Sequence, residues 1–328
     1  MRSQSRAVRR TRPSVGPPTA VAATVVLLAL ASWSCSEDLA EVTALDKLRI
    51  LGVRATQPAL AEGETATLDA LVFDPQGREV SYAWSWCPAR VEPTAGFPCP
   101  VTQQAFDGLL LGAGLDPSEF PPLALGSEPT ATWAYPGSPA SVKRLCQLIS
   151  ADLPTGGASR RCDEPLVVTI KLRVHADDDE LVAIRSLSLL PTAEGQNHNP
   201  ELLAWSARPA GGGESVALVD GATLDRGATY TLLASTADDS AEHYRPPPRA
   251  QAPPPSDVQE GLILSWYSAG GAHAASRTGT AEGEVSLEAA TQTVWTAPTG
   301  VDEAVLFVVL RDDRGGMDWL GARVNLAP

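Results

Sequence analysis

The sequence predicts an all-β protein of two tandem β-sandwich domains, preceded by an export signal and a short tether. Three observations carry this. A twelve-residue stretch occurs twice, as GETATLDALVFD from Gly63 and GATYTLLASTAD from Gly227, with Gly, Thr, Thr, Leu, Ala and Asp at matching places. Each copy opens on a turn-forming glycine, alternates as a pleated strand does, and ends on an Asp that closes it. Further segments match in the same order after both copies, so the repeated unit is a domain. A length of 328 residues suits two domains, and 44% hydrophobic with 20% charged residues supplies ordinary cores.

Residues 2–12 hold five arginines and no acid, and residues 20–31 form an apolar run. A basic start, a short apolar run and a small-residue exit predict a secretory signal over 1–34. A spanning helix needs about 20 apolar residues, more than this run has. Ala29-Leu30-Ala31 fits simple cleavage, whereas Ser32-Trp33-Ser34-Cys35 resembles a bacterial lipobox, with Trp33 and Ser32 departing from its pattern. Four of the five cysteines, Cys87, Cys99, Cys146 and Cys162, lie in the first copy; lipidation accounts for the fifth, Cys35. The resemblance implies acyl chains on Cys35 and a membrane attachment through them. Ser36, where an Asp is absent, implies the outer membrane. Residues 35–46 then read as the tether. The other outcome is a periplasmic or secreted chain with a free thiol.

The first domain is expected over 47–191. Residues 47–55 (KLRILGVRA) open it as a strand, and the repeat strand follows. Asp74-Pro75-Gln76-Gly77 is a turn. Residues 80–86 (VSYAWSW) place Val80, Tyr82, Trp84 and Trp86 on one face of a strand. Residues 87–129, rich in Pro and Gly, read as irregular, with a helical turn at Asp116-Pro117-Ser118-Glu119. After a strand at 130–136, Ser138-Pro139 opens a helix with the stripe Val142, Leu145, Cys146 and Ile149. Strands at 166–174 and 181–189 make a hairpin across Asp177-Asp178-Asp179.

Residues 192–200 read as a linker and 201–328 as the second domain. There LLAWSA at 202–207 matches 50–55, and Trp266 in LILSWYS matches Trp84. Trp295-x-x-Pro298 repeats Trp133-x-x-Pro136, and 305–311 repeats 167–173. DDRGG at 312–316 is a turn and 317–326 the last strand. A loop at 239–259, with two proline triplets, is expected to be an exposed, stiff insertion.

The paired Trp84/Trp266, the two Trp-x-x-Pro strands and the acidic turns at Asp177 and Asp312-Asp313 resemble bacterial immunoglobulin-like and PKD-like surface modules. The resemblance implies an immunoglobulin-like β-sandwich in each domain. The whole resembles predicted surface lipoproteins of the myxobacterial type, and only three of the 25 basic residues are Lys, as a GC-rich genome favours. These motifs specify fold and not ligand. The matching strands lack the cysteine pair of antibody domains.

Export predicts disulfides. The spacings favour Cys87–Cys99 and Cys146–Cys162, with a crossed pairing as the alternative; closing a ~15-residue loop is worth about 3 kcal/mol. Asp177, Asp178, Asp179, Asp312 and Asp313 offer oxygen ligands to calcium, yet they stand where hairpin turns need polar residues, and a zinc site from the four cysteines lacks any C-x-x-C. Trp86 and Tyr267 are expected on exposed faces as a ligand-stacking surface, and Trp84, Trp133, Trp266 and Trp295 in the cores. His175, His198, His243 and His273 form no ligand or catalytic motif. A net charge of −14 argues against nucleic acid as a partner. The reading that follows is a non-catalytic cell-envelope lipoprotein, a surface binding or adhesion module for protein or carbohydrate, with the Cys-bearing and Pro-rich insertions as contact surfaces. The alternatives are an accessory structural subunit of an envelope assembly and an exported hydrolase whose triad forms only on folding.

Overall fold

Both repeated strands start where the chain must reverse through a left-handed turn: Gly63 has φ 81° and Gly227 φ 66°, values a side chain disfavours. The computed structural model describes residues 43–88, 96–152, 162, 164–246, 256–280 and 286–328. The signal segment and Cys35 lie outside the described residues.

In the first copy, β1 (Arg49–Ala55), β3 (Thr65–Phe73) and β6 (Ala131–Ala134) form one sheet in the order β1-β3-β6. The facing sheet has the order β2-β8-β7-β4-β5, from β2 (Ala59–Leu60), β4 (Ser81–Cys87), β5 (Ala124–Gly126), β7 (Leu166–Ala176) and β8 (Asp179–Leu189). The second copy repeats the plan. Its sheets run β10-β9-β12-β18-β16 and β11-β20-β19-β15-β17. Their strands are β9 (Leu202–Pro209), β10 (Val216–Ala217), β11 (Thr223–Asp225), β12 (Thr229–Thr236), β15 (Leu262–Ala269), β16 (Ala272–His273), β17 (Arg277–Gly279), β18 (Gln292–Thr296), β19 (Glu303–Asp312) and β20 (Met317–Ala327). In each copy a short strand crosses to the second sheet and pairs in parallel with the last strand, β2 with β8 and β11 with β20; the other ladders are antiparallel. Two antiparallel sheets joined in this order are an immunoglobulin-like sandwich.

The ladders show the duplication more sharply than the residues do. Trp133 stands opposite Ala66 and Trp295 opposite Tyr230, places that match in the repeated strand. Trp84 stands opposite Leu172 but Trp266 opposite Val308, where matching 167–173 to 305–311 puts Leu310. The offset is two residues, so the inward faces are kept, because side chains alternate with period two.

Trp84, Trp133, Trp266 and Trp295 fill the two cores. The insertion after β4 is more regular than its composition predicts. Thr102 caps a helix, α1 (Gln103–Gly112), by accepting from Ala105 N at 3.3 Å, and α1 sends Phe106 and Leu110 into the first core. Asp116 caps a 3-10 turn, Pro117–Glu119. In α2 (Pro139–Asp152), Val142, Leu145, Cys146 and Ile149 are all buried.

Three segments read as connectors or free loop are packed instead. Leu45, in the expected tether, is buried and donates its N–H to Ser268 O at 3.1 Å. Asn199, in the expected linker, donates to Ala55 O at 2.8 Å and accepts from Met317 N at 2.9 Å, which ties the copies together. The base of the Pro-rich insertion forms a short ladder of β13 (His243–Tyr244) and β14 (Val258–Gln259), and Ser240 is buried beside it. The tip, 247–255, lies outside the described residues.

Within the compact unit Thr43–Pro328, the outer face of β1 and β3 lies against β15, β19 and β20. Leu51 and Phe73 meet Tyr267, Phe307, Val309 and Trp319 there, with Phe73 and Phe307 edge to face at 5.8 Å. Gly52 sits at the contact, where a Cβ would stand 2.7 Å from Met317 Sδ and 3.3 Å from the Trp319 ring. Around the apolar centre, Arg54 pairs with Asp69 and Asp318 and lies over Trp319 at 4.3 Å. Arg185 donates to Gly315 O and Arg311 to Leu51 O across the joint, and Arg185 donates also to Val53 O of its own copy.

The second copy buries an acid among charged neighbours. Glu260 is 3% exposed; Arg314 reaches it at 3.0 Å, and it accepts from Glu242 N at 3.1 Å. Burial, then the negative charge of Asp312, push its pKa up to about 7. Its contribution to stability is therefore full below about pH 4.5 and is lost as pH rises through 7. His273 acts oppositely: 8% exposed with both ring nitrogens unpartnered, it is held by burial at about 4. Its contribution is full above pH 6.5 and is lost as pH falls through 4. Glu260→Gln should consequently look more favourable, relative to wild type, at pH 8 than at pH 5. Urea midpoints at both pH values test this, and an equal difference at the two refutes it.

Candidate functional site

Cys87, the last residue of β4, bonds to Cys99 with their Cα atoms 5.6 Å apart. This folds the insertion back over the outward face of the β4–β7 pair, where Ser85 and Lys171 are ladder partners. Between insertion and sheet lies a cleft of about 550 Å³, walled by Phe97, Cys99, Val101, Pro122 and Leu123, with Lys171 at its polar edge.

Trp86 anchors that wall. Its indole N–H is shared between Pro121 O at 3.1 Å and Pro122 O at 2.9 Å, and its backbone N–H donates to Leu123 O at 2.9 Å. Gln103, at the start of α1, accepts from Leu123 N at 2.7 Å and donates to Asp107 at 2.7 Å. Phe97 has φ 53°, a conformation non-glycine residues seldom adopt, and presents its carbonyl to Lys171 Nζ at 3.2 Å. Burial, then neighbouring Arg173, lower the Lys171 pKa, with Glu180 opposing. Among the described residues no carboxylate pairs with this amine. Cys146 and Cys162 form the second bond, Cα atoms 5.7 Å apart, beside a recess of about 280 Å³ that includes Tyr135 and Val142.

Two residues expected at an exposed surface are elsewhere. Trp86 is 1% exposed, edge to face with Phe106 and Trp133, because the insertion closes over the end of its strand. Tyr267 does point away from its own core, but the first copy covers that face. The acids expected as calcium ligands also have other duties. Arg78 takes Asp74 and Asp179 at 2.9 Å each and reaches Asp177 at 4.0 Å, and it holds the Asp74 carboxyl below its usual pKa. Asp178 is exposed beside them. Asp312 is buried and accepts from Gly316 N at 2.6 Å, Arg314 N at 2.8 Å and Asn197 Nδ2 at 3.3 Å, closing its own turn; Asp313 is exposed. Among the described residues no three His, Cys, Asp or Glu side chains gather as a metal site.

The histidines lie apart. His175 faces Glu180 at 3.5 Å, His198 Nδ1 meets Glu242 at 2.7 Å, and His273 is buried in the second sandwich. No described helix is long and apolar enough to cross a membrane. Sequence reasoning missed Lys171 and Phe97. In LVVTIKLRV, Lys171 reads as an ordinary solvent-side residue, and only the returning insertion makes it a cleft residue.

No family model and no curated protein matches the chain. Solved structures match distantly. A nucleoside hydrolase-related hypothetical protein from Saccharophagus degradans is 13% identical over 42% of this chain and 28% of its own, with a TM-score of 0.25. The fibronectin(III)-like modules of CbhA from Clostridium thermocellum are 10% identical over 85% of this chain and 93% of theirs, TM-score 0.22. The Yersinia pseudotuberculosis adhesin InvE is 13% identical over 84% and 58%, TM-score 0.20. The chain thus spans under a third of the first and under two thirds of the third. Similarity at these values assigns no activity, and the immunoglobulin-like description rests on the strand order and on the parallel β2–β8 and β11–β20 pairs.

Proposed function

We propose that the chain is a non-catalytic binding module of the bacterial cell envelope, anchored by a lipid on Cys35, whose ligand enters the cleft of the first sandwich. The observation that carries this is the cleft itself. It is built from an insertion that only the first copy has, braced by a disulfide, and lined mainly by apolar groups around one amine. A rigid sandwich that carries function on inserted segments is how such folds diversify. The basic and apolar leader supports export, and the leftover Cys35 supports the anchor. The stacking-platform basis for a carbohydrate ligand falls with Trp86 and Tyr267, which leaves a protein segment or a small apolar molecule as the occupant.

Two measurements test it. Mass spectrometry of the membrane fraction should find Cys35 lipid-modified as the first residue; an unmodified chain starting near Ser32 removes the anchor. A photo-reactive phenylalanine at exposed Ala124, on the cleft rim, should form one defined adduct on intact cells. The same group at exposed Leu203 on the second sandwich should form none. Equal labelling, or none at Ala124, overturns the cleft as the site.

A further inference from the structure

We infer that the cleft takes a small apolar monocarboxylate, an acyl or aryl acid whose carboxylate lies on Lys171 and whose body lies between Phe97, Val101 and Leu123. This rests on the cleft being the binding site and adds the chemistry of its ligand.

The walls are mainly apolar, with Ser85 and Gln103 as the neutral polar residues of the lining, and the cleft, about 550 Å³, is of the size that small-ligand sites have. An acid with about ten carbons fits such a volume. Specificity then falls to the one charged group. Lys171 carries three N–H donors; the Phe97 carbonyl takes one, and among the described residues no carboxylate takes another. Lys171 is half-buried, so the cleft takes away part of the hydration of its ammonium, in line with its lowered pKa, and a carboxylate would replace what is lost. The left-handed Phe97 holds a carbonyl that orients the amine without neutralising it.

Other ligand classes fit less well. A dianion such as a phosphate ester would meet one cation in the cleft lining, since neighbouring Arg173 is paired with Glu180. A cation meets the ammonium. A neutral hydrocarbon offers the half-buried amine no acceptor in place of the water it displaces. A monocarboxylate satisfies walls and amine together, through a charge-assisted hydrogen bond.

Titration calorimetry of the mature chain with decanoate and with decanol tests this. Decanoate should bind once per chain, with decanol much weaker. Lys171→Met should weaken decanoate by about 10- to 100-fold, the worth of a hydrogen bond to a charged group, and should not weaken decanol, which no longer covers an unpaired amine. Ala124→Trp, at an exposed rim position, should block decanoate by filling the cleft. No decanoate binding, equal binding of the two probes, or a Lys171→Met protein that binds decanoate as wild type does would each overturn the inference. If decanoate fails while the Ala124 adduct still forms, the ligand class is wrong and the cleft stands. If both fail, the cleft reading falls with it.

Discussion

Arg185→Ala should destabilise the protein by roughly 3–5 kcal/mol, the cost of breaking a buried charge arrangement by removing one member. Arg185 projects from β8 into the joint between the sandwiches, donating to Val53 O at 2.8 Å and Gly315 O at 2.5 Å. Burial lowers its pKa to about 10, with Asp312 and Asp69 opposing that shift, so it is charged at neutral pH. Without it, Asp312 loses its cationic neighbour and two carbonyls of different copies lose their shared donor. Lysine offers one amine where the guanidinium spans both carbonyls, so Arg185→Lys should fall between wild type and alanine. Methionine refills the volume without the charge and separates lost packing from lost electrostatics. Urea unfolding of the three variants measures this. A loss below about 1 kcal/mol for alanine, the range of exposed ion pairs, would mean that the joint stands without Arg185.

Trp86→Ala should cost a similar amount, about 3–5 kcal/mol, as large-to-small changes of buried aromatics do. The side chain is buried between Phe106 and Trp133, and its indole N–H secures the carbonyls of Pro121 and Pro122. Two effects should follow together. The first core acquires a cavity, and the wall that carries Leu123 loses its anchor. Hydrogen exchange should therefore quicken at the Leu123 amide and in α1 as well as in β4. Trp86→Phe restores most of the volume but not the donor. It should cost about 1–3 kcal/mol, the penalty for leaving buried polar groups unpaired. If Trp86 were an exposed platform, as its strand pattern alone allowed, either change would fall within about 0.5 kcal/mol.

Trp86 shows where local pattern stops informing. Alternation in VSYAWSW correctly puts Trp84 and Trp86 on one face. Whether the end of that face meets water depends on α1 and the segment through Pro122, which return to it from later in the chain. Tyr267 is a second kind of case. Its outward direction follows from its neighbour Trp266 being inward, but the outward face of β15 is covered by residues such as Leu51 and Phe73, far away in sequence. The acidic turns are a third. Their place between paired strands is legible from Asp177 and Asp312, whereas the partner of Asp179 is Arg78, from another turn.

The all-β class, the duplication, the order of the long strands and the paired core tryptophans Trp84, Trp133, Trp266 and Trp295 are legible in the chain alone. These are written in short-range terms: a period of two, turn residues at strand ends, and one pattern repeated. That the connectors are joint, that the two sandwiches share a buried face around Leu51 and Val309, and that Lys171 stands in a cleft emerge on folding alone. Those features arise where two surfaces distant in sequence meet. Their energy belongs to the fit between the surfaces, so neither segment records it alone.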